Sequence, residues 1–252
     1  MRNILILGLI VMLLSACVTE KVFKPTNPSR AAELNAELGL GYMRQGQYKR
    51  AMSKLEKAEK FDSDNVKMLH YKGELHRRIG QLKEAGEYFA RAIELAPDDE
   101  VLQNNYGVYL CGIKKYDQAV NIFYKSLEDP LYENKASVYE NIGLCRLWQG
   151  QNKQAESAFH QALAINKNMS TSLLELAKMS FDRGEKKQSY NYYNRYISLA
   201  AHTPESLWLG ILIENGRGAK NTVASYKVKL KGRYPDAKET KLLMKLERQG
   251  KI

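Results

Sequence analysis

Four histidines and three cysteines are the residues of this 252-residue chain best suited to chemistry. His70, His76, His160 and His202 form no metal motif: His70 and His76 stand six apart, and no His-Glu-x-x-His segment occurs. No Gly-x-Ser-x-Gly elbow, P-loop or dinucleotide-binding glycine pattern is present either. Neither a metal, a cofactor nor a catalytic role is therefore expected. The chemistry that remains is that of three thiols, Cys17, Cys111 and Cys145.

Cys17 closes the stretch Leu13-Leu14-Ser15-Ala16-Cys17, which follows an apolar run starting at Ile4 behind the basic Arg2. The run from Ile4 to Leu14 covers about 16 Å as a helix, roughly half a bilayer core, so it is too short to span. A basic start, a short apolar stretch and small residues describe a secretory signal. Leu-Ser-Ala-Cys resembles the lipobox of bacterial lipoproteins. That resemblance implies that residues 1–16 are removed, that Cys17 becomes the first mature residue, and that it carries three acyl chains, more than stable anchoring needs. Val18, where retention at the inner membrane would favour Asp, implies an outer-membrane address facing the periplasm. Residues 17–30, with Pro25 and Pro28 and no apolar periodicity, read as a lipidated tether.

A hydrophobic content of 44% with 27% charged residues suits a soluble helical body beyond that tether. The formal charge of +11 is unevenly placed. From Arg217 to Ile252 there are eleven Lys/Arg against Asp236, Glu239 and Glu247, a net of +8. This end reads first as a solvated helix face, and next as a surface attracted to anionic partners or lipid headgroups. Nucleic acid is not expected as a partner, because the segment lacks stacking aromatics beyond Tyr226 and Tyr234 and the implied compartment holds none.

The elements that position these residues repeat. Gly39, Gly73 and Gly107 are spaced by 34 residues, and Gly143 follows after 36. The same register carries Ala51, Ala85, Ala119 and Ala155, then Leu55, Phe89, Phe123 and Phe159, then Ala58, Ala92, Ser126 and Ala162. This resembles the tetratricopeptide repeat, a helix-turn-helix in which small residues let helix A and helix B approach closely. Gly46, Gly80, Gly150 and Gly184 mark the turns, and Pro97 ends the second unit. Ala177, Ser189 and Tyr193 continue the period into a fifth unit. A sixth, from Pro204 to about Ala237, keeps the helical pattern but loses most small-residue signatures, as end repeats do. The expected architecture is all-α: a tetratricopeptide-repeat superhelix over residues 31–237, five clear repeats plus a degenerate sixth, then a basic C-terminal helix over 238–252. Two extra residues within Asp129–Asn134 lengthen the join between repeats three and four.

This register places Cys111 and Cys145 on the A helices of repeats three and four. Helix axes about 9–10 Å apart bring facing Cα atoms to about 5 Å, within disulfide range. An oxidising periplasm permits the bond; the alternative is two reduced cysteines acting as small core residues. His76 falls where a core tyrosine normally packs, which makes it a packed histidine. In the family register the second, fifth, ninth, twelfth and thirteenth positions of each repeat line the concave face. They select Leu40, Met43 and Arg44, then His70 and Arg77, then Leu144, Leu147, Trp148 and Phe181 as groove residues, with Leu/Trp clusters fit to be binding hot spots.

A lipobox, a short proline-bearing tether and about six such repeats resemble the type IV pilus biogenesis lipoproteins of the PilF/PilW family. Residues 38–48, Leu-Gly-Leu-Gly-Tyr-Met-Arg-Gln-Gly-Gln-Tyr, are similar to the opening of that family's first repeat. The resemblance implies a pilotin: a lipoprotein held in the inner leaflet of the outer membrane through Cys17, whose groove binds secretin subunits of the pilus and promotes their localisation and multimerisation. Two rivals stay open. One is a lipoprotein scaffold for another envelope assembly, such as outer-membrane protein assembly or peptidoglycan synthesis. The other is a periplasmic enzyme or chaperone acting on soluble clients.

Overall fold

The structure, a computed structural model, describes residues 25–252. Cys17, the expected signal of residues 1–16 and most of the expected tether lie outside the described residues. Thirteen helices follow in antiparallel pairs: α1 (Pro28–Arg44) and α2 (Tyr48–Phe61), α3 (Val66–Arg78) and α4 (Leu82–Leu95), α5 (Glu100–Gly112) and α6 (Tyr116–Ser126). Then come α7 (Lys135–Trp148) and α8 (Asn152–Ile165), α9 (Ser170–Asp182) and α10 (Lys186–Leu199), α11 (Pro204–Gly216) and α12 (Lys220–Arg233), and the single α13 (Lys238–Arg248). These are six tetratricopeptide-type pairs and a final helix. The described residues form two compact units, 25–71 and 72–252, whose boundary falls inside α3.

In the first unit α1 starts at Pro28, three residues before the expected start of the repeats at residue 31. Asn27 accepts a 2.9 Å hydrogen bond from the Arg30 amide, and Pro28 takes the first helical turn, where its missing N–H costs nothing. The buried face of α1 is Ala32, Ala36, Gly39 and Met43, and α2 answers with Ala51, Leu55 and Ala58. Gly39 lies so close to Leu55 that a Cβ there would stand 2.7 Å from Leu55 Cγ.

The second unit repeats this contact. Gly73 meets Phe89, Gly107 meets Phe123, and Gly143 meets Phe159, each ring fully buried. In the fifth pair Ala177 replaces glycine, and Ser189 Oγ donates to its carbonyl at 2.8 Å. The sixth pair brings Gly210 against Tyr226 at the same sixteen-residue separation, one residue ahead of the 34-residue frame. That offset hid it in the sequence. Glycines at positive φ close the A-to-B turns, except in the third pair, where Lys114 adopts φ 64°. Asp99 caps α5 through the Leu102 amide, and Thr203 with Ser206 forms a capping box on α11. The two extra residues lie in the connection 127–134, which is longer still because α6 has 11 residues where α4 and α8 have 14. No helix among the described residues is long and apolar enough to cross a membrane.

Candidate functional site

At about 100° per residue, the second, ninth and thirteenth positions of an A helix fall within an arc of about 40°, whereas the fifth and twelfth lie to one side of it. Burial follows this division. The thirteenth positions, Arg44, Arg78, Trp148 and Asp182, are exposed. The fifth and twelfth turn toward the seam with the neighbouring A helix.

In the first unit this corrects two expected groove residues. Met43 is 1% exposed and His70 is 6% exposed, so neither presents a free side chain on the open face. Met43 belongs to the buried stripe of α1, and His70 lies ring to ring with Tyr71 at 5.2 Å. Leu40 is half-buried and Arg44 exposed. Between them and α3 runs a polar contact that the groove assignment missed: Lys67 reaches Glu33 at 2.8 Å and Glu37 at 3.0 Å. Hydrogen bonds from Lys67 and Arg30 hold the Glu33 carboxyl below its ordinary range, and those carboxylates hold the Lys67 ammonium above its own.

In the second unit Arg77 is half-buried and folds back on its own helix. Its guanidinium makes two 2.8 Å bonds to Glu74, and Arg78 adds a third at 2.6 Å. Burial pushes the Glu74 carboxyl up, but these bonds outweigh it and the net shift is down. Further along, Asn141 donates to Asn104 at 2.9 Å, Glu140 accepts from the Ser172 amide and hydroxyl at 2.9 and 2.8 Å, and Lys178 reaches Glu205 at 2.7 Å. These rungs join successive A helices. Glu33, Lys67, Asn104, Glu140 and Lys178 among them occupy groove positions in the repeat frame, and Glu33 with Lys67 shows the usable signal: opposite charges 34 residues apart at one register position.

Cys111, at a twelfth position, points along the same seam. It is bonded to Cys145 of the next A helix, with Cα atoms 5.8 Å apart, and both residues are buried. His76 stacks on Tyr88 at 5.3 Å and shares a 2.6 Å hydrogen bond with Gln81. Leu144, Leu147 and Phe181 are half-buried and pack on the core of the last repeats. Trp148, at the end of α7, is 59% exposed. Beside it a cleft of about 410 Å³ lies between the end of α7, the start of α8 and α9, with Leu147 and Met179 as apolar lining and Lys178, Glu156, Asp182 and Arg183 around them. Two of the cations here are already paired, Lys178 with Glu175 and Glu205, Arg183 with Glu156 and Glu185. Such a surface grips apolar side chains of a polypeptide and uses its charges for orientation. Among the described residues no group of His, Cys, Asp and Glu could hold a metal ion.

The tetratricopeptide-repeat family profile matches residues 36–100. Type IV pilus assembly protein PilF of Pseudomonas aeruginosa is 28% identical over 230 residues, 90% of this chain and 91% of that protein. An uncharacterized Haemophilus influenzae protein is 31% identical over 131 residues, 52% of this chain and 73% of its own length. The solved structure of Pseudomonas aeruginosa PilF superposes with a TM-score of 0.79 at 27% identity, over 86% of this chain and 98% of its own. PilW, described as a widely conserved type IV pilus biogenesis factor, superposes with a TM-score of 0.75 at 26% identity, over 84% and 98%. The chain is a PilF/PilW-like tetratricopeptide-repeat protein, similar to PilF in sequence and fold and to PilW in fold.

Within this PilF/PilW-like chain the open A-helix face is therefore narrower than the repeat frame implied. Most seam positions are consumed by rungs, a disulfide and core packing. What stays available in the second unit is Trp148 with the half-buried Leu144 and Leu147 on α7, and the cleft beside them. Their spacing of three and four residues puts all three on one helix face.

Proposed function

We propose that this protein is an outer-membrane lipoprotein adaptor of type IV pilus biogenesis. Acylated Cys17 holds it in the inner leaflet, facing the periplasm, and its A-helix face binds secretin subunits and promotes their localisation and multimerisation. The observation that carries this reading is the end-to-end match, in sequence and in fold, to two pilus biogenesis proteins over more than four fifths of the chain. The physical logic is that of effective concentration. A two-part protein that fixes itself to one membrane and holds a subunit raises the local concentration of that subunit where a ring must form. No turnover chemistry enters.

The test is the secretin ladder on a denaturing gel from wild-type, deletion and Cys17→Ala cells, each alongside a twitching assay. The reading expects multimers to fall in the deletion, and Cys17→Ala to leave the protein present but its multimers misplaced or reduced. Unchanged multimers with normal twitching in the deletion overturn it, and porin or cell-wall defects in their place would move the adaptor to another envelope assembly.

A further inference from the structure

The basic C-terminal end is not used by the A-helix face, and its geometry separates its charges into two groups. On the inner side of α13, Glu239, Thr240 and Leu243 are buried, and Thr240 Oγ1 donates to the Tyr234 carbonyl at 2.6 Å. Glu247 looks back at α12 and pairs with Lys231 at 2.6 Å and Lys227 at 3.4 Å. The helix is thereby fixed, and Lys227 and Lys231 of α12 share its Glu247 carboxylate. On the outer side Lys238, Lys241, Lys245 and Arg248 share an arc of about 80°. Among the described residues none of the ion pairs involves Lys241, Lys245 or Arg248. Leu242 and Met244 flank the arc and are 42% and 41% exposed. No acid interrupts it.

By contrast, most cations of the A helices and of the residues that cap them are paired. Lys67, Arg77, Arg78, Arg146, Lys178, Arg183 and Arg217 each meet a carboxylate within 3.0 Å. Free cations interleaved with exposed apolar side chains on one face of a rigid helix are the pattern of an element that lies on a charged membrane surface. The cations meet phosphates, and the Leu and Met side chains enter the headgroup layer. We infer that the outer face of α13 docks on anionic phospholipid, a second membrane contact independent of the acyl anchor. An acidic protein segment would match the cations but has no use for exposed Leu242 and Met244 on either side of them. The inference goes beyond the adaptor reading and does not depend on which protein the A-helix face holds.

The experiment is vesicle co-sedimentation of the full chain carrying Cys17→Ser, so that no acyl chain contributes. Vesicles of phosphatidylcholine alone are compared with vesicles containing 30% phosphatidylglycerol. Binding should favour the anionic vesicles, weaken with added salt, and fall about a hundredfold in the triple variant Lys241→Gln, Lys245→Gln, Arg248→Gln, about fivefold for each cation. The pair Leu242→Ser and Met244→Ser should weaken it with all charges kept. Unchanged thermal melts establish that both variants are folded, since every altered side chain is exposed. Equal binding to both vesicle types, or retention of binding in the triple variant, overturns the inference. So does displacement by millimolar glycerol phosphate, which would mean a single-headgroup site, or tighter capture by polyglutamate than by vesicles, which would mean an acidic protein partner.

Discussion

Cys111→Ala with Cys145→Ala removes one covalent link without adding a buried polar group. The closed loop spans 34 residues, for which chain entropy predicts a loss of about 3.7 kcal/mol of stability. The two extra residues of the 127–134 connection lie inside that loop, so the bond fixes the one inter-repeat step that the sequence lengthens. For a chain of this size the loss corresponds to a fall in Tm of roughly 8–15 °C. Because repeats interact chiefly with their neighbours, the loss should be local. Hydrogen exchange is expected to accelerate by up to about 500-fold in α5 to α8, with much smaller changes in α11 to α13. Differential scanning calorimetry gives the first number and exchange mass spectrometry the second. A Tm within about 2 °C of the parent would refute the entropic reasoning, and a loss spread evenly over all helices would refute its localisation. Two free thiols in non-reducing peptide maps of the parent would remove the bond itself.

Two glycines of α1 should respond in opposite directions. Gly39→Ala forces a methyl into Leu55 and should cost about 1–2 kcal/mol, while Gly41→Ala, with nothing within 4 Å of its new Cβ, should gain about 0.5–1 kcal/mol; urea unfolding measures both. Lys114→Gly relieves a left-handed backbone at φ 64° and should raise stability by about 0.5–1 kcal/mol after the greater freedom of the unfolded chain is counted. Glu74 has a folded pKa below its ordinary 4.5, so its contribution is complete above about 4.5 and disappears as pH falls through the lower folded value. Glu74→Gln should therefore cost about 1–2 kcal/mol at pH 7 and little in acid, read from denaturation between pH 3 and 7. Trp148→Ala should leave the melt within about 1 °C of the parent, since the ring is mostly exposed, yet weaken capture of a pilus partner at least tenfold in pull-down or calorimetric titration.

The sequence carried the repeat because its cause is local and recurrent. A glycine or alanine facing a large apolar or aromatic side chain sixteen residues later is required wherever two helices must approach closely, so each repeat writes the same constraint again. Proline and asparagine rules would also have placed the start of α1 at Pro28, although absence of periodicity made that stretch read as tether. The sixth pair was harder to see, since Gly210 and Tyr226 keep their mutual spacing but leave the 34-residue frame.

The groove was only half legible. A repeat frame assigns each side chain a position on its own helix, and on that basis Met43 and His70 ranked with Arg44 and Trp148. Which of these positions stays open depends on how far the neighbouring A helix is turned toward it, a property of two helices that no single-helix pattern contains. Rungs such as Glu140 with Ser172 and Lys178 with Glu205 arise for the same reason, as does the meeting of Cys111 with Cys145 across the longer join. On α13 the sequence supplied a helix and a net charge. The pairing of Glu247 with Lys227 and Lys231 decided which cations remain free, because charge is additive along a chain whereas neutralisation requires contact in space.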